Sequence, residues 1–476
     1  MHPWPPVYDE SYYPDPDSAY WFPEIETMDP VEREQTIILP KLQAQLKYAY
    51  EHSGLYRKKW DAAGVKPEEI RSLDDFEAIP FLTKEELRAD QAAHPPFGSN
   101  LCVAYQDLAR VQGTSGTTGK PTAFGISKGD MKRIAETHAR IMWAMGIRET
   151  DIVFIGSFFS LYWGSWGALL GAERLGATAF PFGAGAAGQT ERAIEWMVEI
   201  KPTVFYGTPS YSLYIAEKAR ARGLDPAKDF NFRILFFSGE PGAGVPSTRK
   251  RIEDTYGGIC LDSGSTAEMS PWMTDGECAH RQGMHLWQDV VFAELVDPDT
   301  KKRVPYGEQG VTVYTHLERN SQPMIRFWAG DLSLWVNDRC PCKRTYPRLP
   351  RGIYGRVDDM FTVRGENVYP SAIENVIRSI DGFSDEFRII ITREKTMDEL
   401  IVQAEPLPDV PDDQISTLQK ELASQLKAKG LRTIVKMMAP GSLERTEFKA
   451  RRIIDKRDVY DQITGQAEDL GSEVAP

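Results

Sequence analysis

Two periodicities run through this chain, and the places where one gives way to the other outline its architecture. From Val31 to Ala63 apolar residues recur at helical spacing, with Leu42, Leu46 and Tyr50 on one face and an interruption at Pro40. Thr83-Lys84-Glu85-Glu86-Leu87 carries a capping-box pattern, Thr83 capping and Glu86 three positions later, so a helix starts there. Past residue 150, short apolar runs alternate with amphipathic ones. Ile152–Ile155 reads as a strand, 164–175 as a helix, Thr178–Phe182 as a strand and 189–200 as a helix. Thr203–Tyr206, a helix from Pro209, and Ile234–Phe237 continue the series. This rhythm predicts parallel βαβ units in a doubly wound sheet, with ligands beyond the carboxyl ends of the strands. The turns there are Gly156-Ser157-Phe158-Phe159, Gly207-Thr208-Pro209 and Ser238-Gly239-Glu240-Pro241-Gly242.

From about 285 to 336 the pattern turns strand-rich, with Val290–Val296, Val311–His316 and Leu332–Val336. A second unit follows Asp358. There Phe387–Thr392 and Glu399–Glu405 pair as strands, and Ile415, Leu418, Leu422 and Leu426 mark a helix that stops near Gly430. The expected fold is α/β: a large N-terminal domain over residues 1–357, with doubly wound sheets and a strand-rich subdomain, then a small α+β domain over 358–476. Residues 1–30, rich in Pro, Tyr and Asp, are expected to wrap the surface without regular structure, and the acidic tail from Thr464 to fray.

Composition narrows the function. With 476 residues the chain exceeds a single core, and 41% apolar and 26% charged residues are ordinary for a soluble protein. The net charge of −13 comes without a Lys/Arg block, which argues against nucleic acid or a membrane surface as partner. Five cysteines make no disulfide framework, the N-terminus has no secretory pattern, and the most apolar stretch, Gly156 to Gly185, is interrupted by Glu173 and Arg174. A cytoplasmic location is expected.

Candidate chemistry concentrates in a few segments. Gly113-Thr114-Ser115-Gly116-Thr117-Thr118-Gly119-Lys120-Pro121 packs three glycines, four hydroxyls and a lysine into nine residues, a composition suited to cradling phosphates. It is not the common nucleotide loop, because Thr114 stands where that pattern needs glycine and Pro121 follows the lysine. In Trp328-Ala329-Gly330-Asp331 an acid sits at a turn, where it can accept two hydrogen bonds from a ribose diol. In the run Gly355 to Pro370, Arg356 can fork onto a phosphate or ribose oxygen, and Asp358-Asp359 can form a polar hinge, with Glu374 on the helix beyond.

Taken with Tyr50–Arg57 and the segment Ser72 to Lys84, these motifs make the chain resemble the acyl-adenylate-forming superfamily, and within it the phenylacetate–coenzyme A ligase family, from about Val31 to Asp455. The resemblance implies a mobile C-terminal domain. It aligns Lys449, in Arg445-Thr446-Glu447-Phe448-Lys449, with the family's catalytic lysine, although Phe448 replaces the usual glycine. It places Asp262-Ser263-Gly264-Ser265-Thr266-Ala267-Glu268 at the motif where Glu268 holds Mg²⁺ and Thr266 touches the α-phosphate. The adenine-stacking aromatic of that motif is absent here, which leaves the Ser238-Gly239-Glu240 turn as a candidate adenine surface. The resemblance also implies paired subunits, a possible homodimer.

Two further sets complete the reading. Cys278, His285, Cys340 and Cys342, preferred over His280, form a donor set suited to a closed tetrahedral zinc site, and some family members carry structural zinc at a similar set. Phe158, Tyr162, Trp163, Trp166, Tyr206 and Gly207 combine bulky rings with small residues after the central strands, an acyl slot for an aromatic acid. The activity implied is ATP- and Mg²⁺-dependent adenylation of an arylacetate- or benzoate-like acid, then transfer to coenzyme A. The alternatives are a different acyl acceptor, or a nucleotide- and zinc-binding protein without catalysis.

Overall fold

The computed structural model describes residues 4–456 except 115–121, 162, 185–187, 241, 265, 270–273, 354, 357–360, 364–365, 369, 393–398 and 444–451. β1 (Leu108–Gly113) and β2 (Ala123–Ser127), which flank the Gly-rich segment in sequence, pair antiparallel. The main sheet follows: β3 (Ile152–Ile155), β4 (Thr178–Phe180), β5 (Val204–Gly207), β6 (Ile234–Phe237) and β7 (Ile259–Gly264) pair in parallel, while β8 (Asp275–Glu277) and β9 (Met284–Leu286) add antiparallel. β10 (Val291–Val296), β11 (Gln309–His316) and β12 (Phe327–Leu334) form the strand-rich layer. β13 (Arg348–Leu349) returns to the edge of the main sheet, and β14 (Gly355–Arg356) pairs with β12.

Strand alternation divides the main sheet's contacts between two cores. Val153, Ile155, Tyr206, Phe236 and Leu261 pack against Trp143 and Trp163 of the Lys128–Ala144 and Trp163–Leu175 helices. Phe154, Phe205, Leu235 and Phe237 face the helices Gln189–Ile200, Pro209–Ala221 and Pro246–Tyr256 on the other side. The sheet is therefore wound on both faces, as its periodicity predicts. A third core belongs to the C-terminal part. There β17 (Phe383–Thr392) and β18 (Glu399–Pro406), preceded by the small hairpin β15 (Phe361–Val363) and β16 (Glu366–Val368), join β19 (Thr433–Met437) and β20 (Ile453–Asp455) in a sheet covered by the Pro370–Ser379 and Asp412–Ala428 helices.

Two expectations change. The segment before residue 30 lacks regular structure through Phe22, as expected, but Pro23–Glu26 is helical and its described residues are anchored to the body. Trp21 is fully buried, Trp4 Nε1 donates to the Leu317 carbonyl at 2.8 Å, and Glu26 accepts from Arg344 Nε at 2.8 Å. Large aromatic side chains without helical or strand spacing gave no periodic signal of this. The strand expected from Leu332 begins earlier, at Phe327, so Asp331 lies inside β12 and not at a hairpin turn. The pairing with β11 shifts register between Val311 and Val313, and Gly330 takes a φ of 83°, so the turn-like residues mark a bulge.

Candidate active site and metal centre

β3, β5, β6 and β7 are neighbours in that order, and parallel pairing sets their carboxyl ends side by side. β3 runs out into Ser157 and Phe158, β5 ends at Gly207, β6 continues into Ser238–Glu240 and β7 into Thr266–Glu268. A Cβ on Gly207 would lie 2.9 Å from the Phe205 ring and 3.1 Å from the Gly156 carbonyl, so two strand ends approach here as only glycine permits. The Tyr206 hydroxyl hydrogen-bonds Ser238 Oγ at 2.7 Å, and Ser263 Oγ donates to the Phe237 carbonyl at 2.8 Å. The Ser157 hydroxyl is sealed from solvent, with no partner among the described residues. Gly239 turns the chain at φ 90°, and Glu240 accepts from the Ser210 N–H at 2.8 Å.

Glu268 is buried and pre-oriented, since Thr266 Oγ1 donates to its Oε2 at 2.7 Å. Lys84 Nζ, from the start of the Lys84–Ala93 helix, lies 3.8 Å from its other oxygen. Sequence pattern explained Lys84 as part of a helix cap, and the cap is indeed formed by Thr83 and Glu86. Its reach to an acid 184 positions away had no local signal. Two more carboxylates were missed. Asp262 on β7 is held up to about 7, first by burial and then by the charge of Glu277, and its Oδ2 occupies the space that a Cβ on Gly244 or Gly352 would enter. Asp275 on β8 is likewise pushed up to about 7 by burial, with Asp331 adding to the effect.

Asp331 pairs with Arg356 across β12 and β14, which places the two ribose candidates directly opposite each other in the backbone. The two ends of the Gly-rich segment are tied by Thr114 N donating to the Thr122 carbonyl and Thr122 N donating to Thr114 Oγ1, both at 3.1 Å. Of the slot residues, Trp163 is buried in the core, while Trp166 is part-exposed, with its indole donating to the Ser160 carbonyl at 2.8 Å and Arg110 4.5 Å over its ring. Phe158 is half-buried, its carbonyl accepting from Ser165 Oγ. Ser115, Gly116, Thr117, Thr118, Gly119, Lys120, Tyr162, Asp358 and Lys449 lie outside the described residues.

The Cys/His set does converge. The donor atoms of Cys278, His285, Cys340 and Cys342, all buried, lie within 4.8 Å of one another. Cys278 Sγ is 3.7 Å from Cys340 Sγ, and Cys342 Sγ is 3.4 Å from His285 Nε2. Thiolates about 2.3 Å from a central zinc in a tetrahedron would stand about 3.8 Å apart, so the residues fit the ion. Hydrogen bonds accepted from Cys278, Cys340 and His285 make Cys342 the thiol held lowest, while burial holds the His285 imidazole towards its neutral, ligating form. Ala279 N donates to the Ala144 carbonyl, at the end of the helix that leads into β3. The cluster thus adjoins the amino ends of the strands, across the sheet from the crevice.

A family model described as AMP-binding enzyme matches residues 39–315, and one described as AMP-binding enzyme C-terminal domain matches 365–457. The chain belongs to the AMP-binding enzymes. Within them it is 34% identical over 453 residues to the phenylacetate-coenzyme A ligase of Thermus thermophilus, covering 91% of this chain and 99% of that one. The Pseudomonas putida phenylacetate-coenzyme A ligase is 32% identical, over 94% and 99%. A solved 2-hydroxyisobutyryl-CoA ligase, in its postadenylation state with 2-HIB-AMP, is 51% identical over 98% of both chains, with a TM-score of 0.92. In its thioesterification state the same ligase superposes with a TM-score of 0.74. No helix among the described residues is long and apolar enough to cross a membrane.

Proposed function

We propose that this protein is an AMP-forming carboxylate–coenzyme A ligase. The observation that carries the reading is the crevice where adjacent strand ends assemble Ser238, Thr266 and Glu268. Glu268 would hold Mg²⁺, which neutralises charge on the triphosphate when bound, and Asp331 and Arg356 would flank the ribose. The Gly113–Pro121 loop would hold the phosphates that leave, and Lys449 would steady the carboxylate and α-phosphate as charge develops. The domain boundary falls at 357/358, with Asp358 as hinge. Cys278, His285, Cys340 and Cys342 would hold a structural zinc, which would pin strands at the far edge of the sheet.

The acid admits two readings. An aromatic acid follows from the rings after the central strands and is supported by the phenylacetate ligases. A small hydroxy acid is favoured by the 51% identity to the 2-hydroxyisobutyryl-CoA ligase and by the hydroxyls at the strand ends, Ser157 among them. Pyrophosphate exchange over a panel of arylacetates, benzoates and 2-hydroxy acids, followed by coenzyme A addition, tests the reading. Exchange with no acid would refute adenylation, and exchange without thioester would assign another acceptor.

A further inference from the structure

Two of the four metal donors sit on the sheet framework and two do not. Cys278 directly follows β8, and His285 lies in β9, paired with Gly276 on one side and Arg348 on the other. Cys340 and Cys342 belong to the stretch between Val336 and β13, which has neither helix nor strand and turns at Lys343 with a φ of 62°. Within that turn Lys343 N donates to the Cys340 carbonyl at 2.9 Å and Arg344 N to Cys342 Sγ at 3.4 Å. Zinc on all four donors would therefore staple an irregular loop to the sheet edge.

The same loop holds the N-terminal segment. The Tyr20 hydroxyl donates to the Cys342 carbonyl at 2.9 Å. Arg344 donates through Nη2 to the Ala19 carbonyl and through Nε to Glu26, and its guanidinium lies 5.0 Å from the centre of the Tyr20 ring. Thr345 N donates to the Glu26 carbonyl at 3.1 Å, while the Glu26 carboxylate accepts from the N–H groups of Trp21 and Phe22. A cavity of about 300 Å³ adjoins both parts, lined by Ala19 and Tyr20 from the segment and by Cys278 and Cys342 from the cluster. The approach to two of the four donors thus runs past the segment.

We propose that residues 18–26 form a strap whose docking is coupled to zinc occupancy through the Cys340–Thr345 loop, so that the strap sets how readily the metal leaves. The inference rests on the zinc reading above. With the metal bound, the loop presents the Cys342 carbonyl and Arg344 in one fixed place. Without it, no strand ladder holds that geometry, and the strap loses its partners. The coupling is reciprocal: whatever factor the metal adds to docking, docking adds to metal affinity.

Wild type, Tyr20→Phe and Arg344→Gln are compared by zinc transfer to a chromophoric chelator and by chymotrypsin cleavage after Tyr20 and Phe22, located by mass spectrometry. Stripping zinc from wild type should speed cleavage at those two sites by about tenfold, inside the usual range of site-to-site coupling, and added zinc should restore protection. Tyr20→Phe keeps the ring and removes one hydrogen bond, so it should release zinc about two- to tenfold faster than wild type. Arg344→Gln, which loses the fork to Ala19 and Glu26, should release it faster still. Cleavage that ignores zinc, zinc release unchanged in both variants, or acceleration by the same factor at sites throughout the chain would overturn the coupling. Wild-type protein that retains no zinc after dialysis against the ion overturns the zinc reading itself, and the strap with it.

Discussion

Replacing Asp275 with Asn should flatten the pH dependence of stability. Asp275 is 1% exposed, accepts a hydrogen bond from the Tyr314 hydroxyl and another from Thr274 Oγ1 at 3.3 Å, and faces the charge of Asp331. Burial raises its carboxyl from 3.8 to about 7. Between those values the folded state binds more protons than the unfolded one, so stability is fully present below 3.8 and is lost as pH rises through 7. At about 1.4 kcal/mol per pH unit, the loss attributable to this residue approaches about 4 kcal/mol, and relaxation around the charge reduces it to about 2–4. Asparagine keeps the shape and an acceptor for Tyr314 but never ionises. Urea unfolding followed by tryptophan fluorescence at pH 5, 6, 7 and 8 should therefore show the variant gaining on wild type as pH rises, by on the order of 1 M in midpoint. Parallel profiles for the two proteins would refute the reasoning. The carboxylate would then be solvated or paired in a way that this burial excludes.

Other residues make separate demands. Glu26→Ala leaves Arg344 without its buried carboxylate partner, while Arg140 keeps Asp289, and should cost about 3–5 kcal/mol and expose the N-terminal segment to protease before the rest of the chain. Purified protein should carry close to one zinc per chain by elemental analysis, and Cys342→Ser should lower that content and drop the thermal midpoint by several degrees, while thiol-independent aggregation without metal loss would argue against the site. Gly352→Ala places a Cβ 2.5 Å from the Asp262 carboxylate at a φ of 66° and should cost about 2 kcal/mol or more, whereas Gly430→Ala, at φ 84° with open space around it, should cost about 1 kcal/mol in thermal or urea unfolding.

The parts of the fold legible in advance were those with a local physical signature. The Thr83–Glu86 capping box, the βα rhythm from Ile152 to Phe237 and the helix stop at Gly430 each depend on neighbours within a few positions, and each forms as the pattern predicts. Asp331 was placed at a turn because glycine before an acid has the same composition in a turn and in a bulge. Only pairing with β11 distinguishes them. The anchoring of the N-terminal segment was not legible for a related reason. Its aromatic residues are anchored by partners more than a hundred positions away, such as Glu136 for Trp21 and Leu317 for Trp4.

By itself the sequence determined which chemistry is available: a loop rich in glycine, hydroxyls and one lysine, an acid after β7, a carboxylate–arginine pair and four soft metal donors. Residue type and short-range spacing suffice for that, because a cap, a cradle or a ligand set is a statement about side-chain chemistry. Tertiary structure decided which of these groups share a place. It brought Lys84 to Glu268, set Asp331 opposite Arg356 and closed Cys278 on Cys340. It also decided which carboxylates are kept from water, so that Asp262 and Asp275 titrate near neutrality although nothing in their local sequence distinguishes them from exposed acids. The reason is the same in each case. Burial and proximity are properties of the packed sheet and its layers, and they are set by contacts across the chain that no short window of residues contains.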